Sequence, residues 1–388
     1  MPHSHRSDGI DTLLIHAGEP RPPLGGAVIL PVFQSATFTY PGAGEDAALR
    51  YIRLNNTPNH QVLHAKLAAL EKAEAALVTA SGMAAIAAVL LSVLETGDRM
   101  MVQDGLYGGT HGLVHQDLKR LGIAADEVCG DDPADWRARL QPTTRAFYVE
   151  TITNPTMRVA DLEAVVAFCR EHGLVSIIDN TFASPVNFRP LEHGFDLSLH
   201  SATKYLNGHS DIVAGAVMGR ADLVDRIKRR LDHLGASLDP HACFLLHRGL
   251  KTLGLRVRRQ NRGAEAVAAF LSRHPAVTQV NYPGLEAHPD HRRARRLFDG
   301  YGGMLSFEID GGVAAAEAFL GGLQLPVVAP SLGGVESLVT RPAATSHAGM
   351  SPAARRAMGV SDGLVRLSVG IEAPEDLIAD LDQALAGG

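Results

Sequence analysis

Six lysines occur in the 388 residues, and one of them stands where a desolvated amine would be useful. Lys66 and Lys72 fall on the polar side of one periodic segment, and Lys119 sits in Gln116-Asp117-Leu118-Lys119-Arg120. Lys228 belongs to Arg226-Ile227-Lys228-Arg229-Arg230, and Lys251 follows Arg248-Gly249 in an arginine-rich stretch. These contexts read as solvated helix faces. Lys204 instead ends Leu197-Ser198-Leu199-His200-Ser201-Ala202-Thr203-Lys204, a short apolar run that passes into two hydroxyl residues. An amine at the end of a buried strand loses solvation, its pKa falls, and the neutral form is free to make an imine with an aldehyde. Taken singly, such a lysine is an ordinary strand-end residue. Asp179 changes the weighing. It closes Val175-Ser176-Ile177-Ile178-Asp179, about twenty-five residues upstream and at the same expected sheet edge. A carboxylate there can hold a pyridinium nitrogen protonated and make the ring an electron sink, although alone it would be a cap or turn residue. Ser201 and Thr203 offer hydroxyl donors of the kind a phosphate needs. Thr79-Ala80-Ser81-Gly82-Met83 joins a strand to a helix whose first N–H groups are free for an anion. Gly82 permits close approach, though Ser-Gly is also a common helix start. An aldehyde, a ring nitrogen and a phosphate on one molecule describe pyridoxal phosphate.

These groups need a sheet whose strand ends line up. Apolar runs at 75–79, 99–103, 146–150, 174–179, 197–200 and 212–218 read as strands, and 60–74, 82–94, 112–121 and 162–172 read as helices. Such alternation means a mostly parallel sheet covered on both faces, with ligands beyond its carboxyl ends. Helical stretches at 221–234 and 245–274 lead to a second region. There 303–309, 313–320 and 364–368 suggest a smaller α/β unit, and 375–385 is the final helix. The first fifty residues, with Pro20, Pro22, Pro23, Gly25, Gly26, Pro31 and Pro41, read as an irregular arm lying over another surface.

Composition excludes several classes. Apolar residues make up 46% and charged residues 20%, which is ordinary for a globular protein. A net charge of -6 without a long basic run argues against a nucleic-acid partner. No run approaches the ~20 apolar residues that span a membrane. Residues 1–11 hold no apolar signal core, so no membrane association and a cytoplasmic location are expected. Cys129, Cys169 and Cys243 make no metal-type pair, which suits a reducing compartment. His200, His209 and His347 lie near the segments above, but isolated histidines are more often structural, and no metal site is expected.

With these residues assembled, the chain resembles the Cys/Met-metabolism (trans-sulfuration) family of pyridoxal-phosphate enzymes over nearly its whole length, from Thr12-Leu13-Leu14-Ile15-His16-Ala17-Gly18 to the last helix. The specific motifs are Ser81-Gly82-Met83-Ala84-Ala85, Tyr107-Gly108-Gly109-Thr110, Thr153-Asn154-Pro155-Thr156, Asp179-Asn180-Thr181-Phe182, Ser201-Ala202-Thr203-Lys204-Tyr205, Ser331-Leu332-Gly333-Gly334-Val335-Glu336-Ser337-Leu338 and Val365-Arg366-Leu367-Ser368-Val369-Gly370. The resemblance implies the α/β fold of the aspartate-aminotransferase type (fold type I), with a large parallel-sheet cofactor domain and a smaller C-terminal α/β domain. The expected division is 1–58 for an arm reaching a neighbouring subunit, 59–245 for the cofactor domain and 246–388 for the C-terminal domain. It implies that Lys204 carries the cofactor, Asp179 pairs with its ring nitrogen, Tyr107 stacks on the ring and Asn154 lies near its phenolic oxygen. Gly82, Met83, Ser201 and Thr203 would hold the phosphate. Arg366, aided by Ser331, would clamp the substrate carboxylate, for which a planar fork is suited. Tyr51 and Arg53 match a Tyr-x-Arg that reaches a neighbouring subunit's phosphate, so a homodimer would be the minimal active unit, and tetramers are usual in the family. Outside the resemblance these two would read as an exposed loop pair.

The implied activity is γ-elimination or γ-replacement on a sulfur-containing or O-acyl-homoserine-type amino acid, most like cystathionine γ-lyase or γ-synthase. Cystathionine β-lyase, methionine γ-lyase and homoserine sulfhydrylase are the alternatives. Departures bear on the choice. Asn56-Thr57-Pro58-Asn59 replaces the usual Asn-Pro-Thr, and Ile152 stands where a proline is common. Pro330 stands where many cystathionine enzymes carry a glutamate, and Gly109 where methionine γ-lyases typically have a cysteine. A nicotinamide-dependent enzyme is a distant alternative, resting on Gly42-Ala43-Gly44-Glu45-Asp46-Ala47, which lies in the arm outside any clean βαβ unit. A non-catalytic protein on the same scaffold would be expected to have lost some of Lys204, Asp179, Tyr107 and Arg366.

Overall fold

The apolar runs pair as seven strands: β1 (Ala75–Thr79), β2 (Arg99–Gln103), β3 (Ala124–Val128), β4 (Thr144–Glu150), β5 (Val175–Asp179), β6 (Leu197–His200) and β7 (Gly215–Gly219). This computed structural model describes residues 9–40, 42 and 49–387. Residues 1–8, and most of the segment with the loose glycine motif at 42–47, lie outside the described residues. The sheet order is β1-β7-β6-β5-β4-β2-β3. From β6 to β3 every pair is parallel, whereas β7 is antiparallel to both of its neighbours. The connection from β6 to β7 contains no helix. Without a helical crossover the chain turns back beside the strand it has just left, and that returning segment carries Lys204.

Burial alternates along the strands as a two-faced sheet requires. In β1, Leu77 packs in one core cluster while Ala76 and Val78 pack in the other. Trp136, fully buried, meets Phe147 and Phe168 edge-on at 5.3 and 5.6 Å, and so anchors one face with aromatic contacts. A second sheet has the order β10-β11-β12-β9-β8, from β8 (Val277–Asn281), β9 (Met304–Ile309), β10 (Val327–Val328), β11 (Leu338–Thr340) and β12 (Val365–Ser368). A third core cluster packs this sheet against the helices Leu253–Leu271 and Pro374–Ala386.

The structure corrects several expectations. β3 and β8 lack a continuous apolar run because each is a partly exposed edge strand. The stretch expected as one helix over 245–274 is two, Pro240–Leu250 and Leu253–Leu271. Buried Arg256 supports the break by donating to the carbonyls of Gly249, Tyr205 and Leu206 at 2.9, 2.8 and 3.3 Å. The helix expected at 112–121 starts earlier, at Gly108, and widens into a π-helical turn over Leu113–Leu118.

Lys66 is not on a solvated face. It is fully buried, and its ammonium donates to the carbonyls of Leu14 and Ile15 at 2.9 and 3.2 Å, with Glu19 at 3.6 Å. The short helix Ile10–His16 covers that face, and its carbonyl ends need donors. Part of the arm is tied down in the same way. Asn59 accepts from the Phe33 N–H and donates to the Pro31 carbonyl. Elsewhere the arm leaves Val28 at 92% and Tyr40 at 63% exposure.

Candidate active site

Three parallel strand ends set the floor of the site. Glu150 closes β4, Asp179 closes β5, and Ser201 follows β6. Asp179 Oδ1 accepts from the Thr181 N–H at 2.9 Å, and Oδ2 accepts from the Tyr148 hydroxyl at 3.3 Å. The turn after β6 is pinned by Thr203, whose N–H donates to the Ala214 carbonyl while its Oγ1 accepts from the Ala214 N–H. That turn holds Lys204 half-buried, with Nζ donating to Ser331 Oγ at 2.6 Å. Burial, and then the neighbouring charge of Arg366, lower the Lys204 pKa to about 8. A neutral amine is therefore accessible near neutrality.

The helix Gly82–Val93 begins at this edge, capped by Ser81 Oγ accepting from the Ala84 N–H. A Cβ at Gly82 would lie 2.8 Å from that of Ser201, so glycine is what lets the helix start meet the β6 turn. Tyr107 donates its N–H to Glu150 Oε1 at 2.7 Å. Arg366, buried on β12, reaches from the smaller sheet: Nη1 donates to Asn154 Oδ1 at 3.1 Å and Nη2 to the Ser331 carbonyl at 2.9 Å. Its buried Nε has no hydrogen-bond partner among the described residues. Burial lowers the guanidinium to about 10. Ser331 adopts φ 91°, in the left-handed region that favours glycine, and both cations hold it there.

One cavity of about 700 Å³ gathers Gly82, Met83, Tyr107, Asn154, Asp179, Ser201, Thr203, Lys204, Ser331 and Arg366. Tyr51 and Arg53 are not in it. Both are exposed, Arg53 lies over the Tyr51 ring, and its guanidinium donates to the Asp232 carbonyl. The cavity fits a molecule bearing an aldehyde, a ring nitrogen and a phosphate. It offers an amine, a carboxylate, and a helix start brought close by Gly82. The unpartnered Arg366 Nε leaves one more donor for an anion. His200, His209 and His347 are engaged structurally, with Glu71, the Asn207 carbonyl and Ser346 respectively.

Sequence reasoning missed Glu150 and Thr181, which also line the cavity. Thr181 Oγ1 accepts from the Ser201 N–H at 2.8 Å and links two of the strand ends. The strand-end rule that found Asp179 would have found Glu150 too. Burial, and then the charge of Asp179, push the Glu150 carboxyl up to about 8, against the N–H groups of Tyr107 and Asn154. The protonated form is thus favoured in the folded chain. Its stability contribution is full below the ordinary value of 4.5 and is lost as pH rises through about 8. Glu150→Gln, which keeps an acceptor for Tyr107, is expected to flatten the fall in melting temperature between those limits. Parallel melting curves of the two proteins from pH 5 to 9 would show it, and identical slopes would reject it.

A family model described as Cys/Met metabolism PLP-dependent enzyme matches residues 11–386. The chain is 43% identical to an L-methionine gamma-lyase of Pseudomonas putida over 99% of both chains. It is 41% identical to a cystathionine gamma-lyase of Bacillus subtilis over 96% of this chain and 98% of that one. Among solved structures, the cystathionine gamma synthase of Xanthomonas oryzae pv. oryzae in complex with cystathionine superimposes with a TM-score of 0.94. It shares 41% identity over 97% of this chain and 98% of that chain.

Proposed function

The chain belongs to the Cys/Met-metabolism family of PLP-dependent enzymes, and we propose that it cleaves or exchanges the bond at the γ-carbon of a sulfur-substituted or O-acylated homoserine-type amino acid. One observation carries this reading. Ser331 touches both working cations, accepting from Lys204 on Oγ at 2.6 Å and from Arg366 on its carbonyl at 2.9 Å. An α-carboxylate clamped by Arg366 sits one bond from Cα, so the clamp delivers Cα to the Lys204 amine.

Pyridoxal phosphate, when bound, supplies an electron sink for charge that develops at Cα. Lys204 would carry it and, once displaced by the substrate amine, take the α-proton and return it nearby. Holding base and substrate together in this way is worth about 7–11 kcal/mol of barrier. Asp179 would keep the ring nitrogen protonated, and Tyr107 would cover the ring and serve as an acid or base. Gly82 and Met83 at the helix start, with Ser201 and Thr203, would hold the phosphate. Asn154 would sit by the phenolic oxygen, where it also orients Arg366 through their 3.1 Å hydrogen bond. Ile152, Phe182, Val213, Pro330 and Leu332 supply the apolar wall that keeps water from the reacting side chain.

Gly109 supports the cystathionine-type reading over the methionine-type one. A Cβ there would lie 2.7 Å from the Tyr107 ring and 2.9 Å from Met83 Sδ, so a cysteine would require both to move. Tyr51 and Arg53, exposed and outside their own cavity, suit a role in a neighbouring subunit's site, and the bare Val28, Ile29 and Tyr40 suit burial against another copy. The proposal therefore includes a dimer as the minimal active unit, assembly to a tetramer, a cytoplasmic location, and an arm, cofactor domain and C-terminal domain divided near residues 58 and 245. Among the described residues no helix is long and apolar enough to cross a membrane.

The test is incubation of the purified protein with cystathionine, methionine and an O-acyl-homoserine, with and without cysteine. Cysteine with 2-oxobutanoate from cystathionine, or cystathionine from the acyl ester and cysteine, is the expected result. Homocysteine with pyruvate would move the cleavage to the β-carbon, and turnover of methionine alone would overturn the cystathionine-type reading.

A further inference from the structure

The helical turn that starts after Tyr107 carries His111 and His115, four residues apart, and both reach Glu127 on the edge strand β3. His111 Nε2 lies 3.5 Å and His115 Nε2 2.9 Å from Glu127 Oε1. The two rings lie 4.5 Å apart between centroids, tilted by 45°, and the three ligating atoms lie within 4.8 Å of one another. Zinc bonds imidazole nitrogen and carboxylate oxygen at about 2.0–2.2 Å, which places neighbouring tetrahedral ligand atoms about 3.3 Å apart. Small side-chain rotations cover the difference.

The His115 Nε2 atom is buried and makes no hydrogen bond among the described residues, although a carboxylate oxygen is 2.9 Å away. A hydrogen bond needs the N–H directed at the oxygen. A metal instead needs both lone pairs directed at a common third point. The backbone is also unusual here: the π-helical turn begins at Leu113, between the two histidines, and such widenings recur at functional sites. Access exists as well, because His111 and Glu127 line a polar pocket shared with Asp104, Cys129 and Asp131.

We propose that His111, His115 and Glu127 bind one divalent transition-metal ion of the zinc class, with water completing the coordination from the polar pocket. Two imidazoles and one carboxylate favour zinc or cobalt over the all-oxygen preferences of magnesium and calcium. The ion ties the edge strand β3 to the helical turn that begins at Tyr107, whose carbonyl accepts from the His111 N–H at 2.9 Å. The proposal departs from the sequence reading, which expects no metal site. β3 was not recognised, so nothing brought Glu127 to the histidine pair.

Equilibrium dialysis of the untagged, cofactor-loaded protein against Zn²⁺, without amino acid present, tests the proposal. The wild-type chain is expected to retain one ion more than the His111→Ala/His115→Ala variant and to gain melting temperature with Zn²⁺ that the variant does not. Loading with Co²⁺ should give wild-type protein the visible bands of a four-coordinate nitrogen and oxygen site. Glu127→Gln, on an exposed edge, carries the comparison if the double variant folds poorly, and should weaken binding about tenfold. Equal ion content and affinity in wild type and variants would overturn the site. So would a Glu127→Gln melting loss that is the same with and without Zn²⁺. Metal content is read without turnover, so the outcome is independent of the reaction proposed above.

Discussion

Lys204→Ala is expected to lower kcat/KM by about 10⁴-fold or more and to remove the violet absorbance band that a lysine-bound cofactor gives. The size follows from losing both the tethered base and the near-attack placement it provides. The fold should survive, because the side chain is half-buried and, among the described residues, its amine bonds only the Ser331 hydroxyl, which can turn to water. A small primary amine added to the medium should restore part of the rate, since it replaces the missing base without the tether. Absorbance spectra and steady-state rates of the two proteins, each dialysed against pyridoxal phosphate, are the measurements. An alanine variant that keeps the wild-type band would place the attachment on another lysine. Lys66 is also buried, but its ammonium is spent on the Leu14 and Ile15 carbonyls, and it does not line the cavity.

Arg366→Lys should cost about 30- to 1000-fold in kcat/KM, corresponding to about 2–4 kcal/mol for a buried charged donor pair truncated on one side. Lysine keeps the charge and loses the fork. Arg366 uses Nη1 for Asn154 and Nη2 for the Ser331 carbonyl, and the shorter lysine, ending in one compact ammonium, lacks the planar fork that spans these two acceptors and a carboxylate. Ser331, in its left-handed conformation, would lose one of the two contacts that hold it against Lys204. The loss should fall mainly on KM. A substrate analogue in which the carboxylate is replaced by a methyl group should distinguish the two proteins far less than the acid does. Equal kcat/KM for the acid in both would remove the clamp from the account.

Much of the site is readable from local signals, and the limits of that reading are equally local. Asp179 and Lys204 stand out because each ends a short apolar run, and the turn chemistry of Ser201 and Thr203 is written in consecutive residues. Arg366 shows no such signal. It lies in the middle of β12 in the other sheet, and only its resemblance-bearing motif pointed to it. Glu150 carries the same strand-end signature as Asp179, yet its raised pKa comes first from burial and then from lying beside Asp179, and both are set by strand order.

The amino-acid order by itself determined the interior strands of the larger sheet to within a few residues, and which polar residues stand where β4, β5 and β6 stop. Alternation and turn residues act over a few positions, so they can be read without knowing what lies opposite. Tertiary structure decided what is dry and what is paired. Lys66 is buried because a helix fifty residues away covers it. The chain breaks at Lys251 and Thr252 where Arg256 gathers the loose carbonyls. Glu127 meets two histidines because β3 takes the sheet edge. Desolvation and charge pairing depend on distance in space, and sequence separation does not fix that distance.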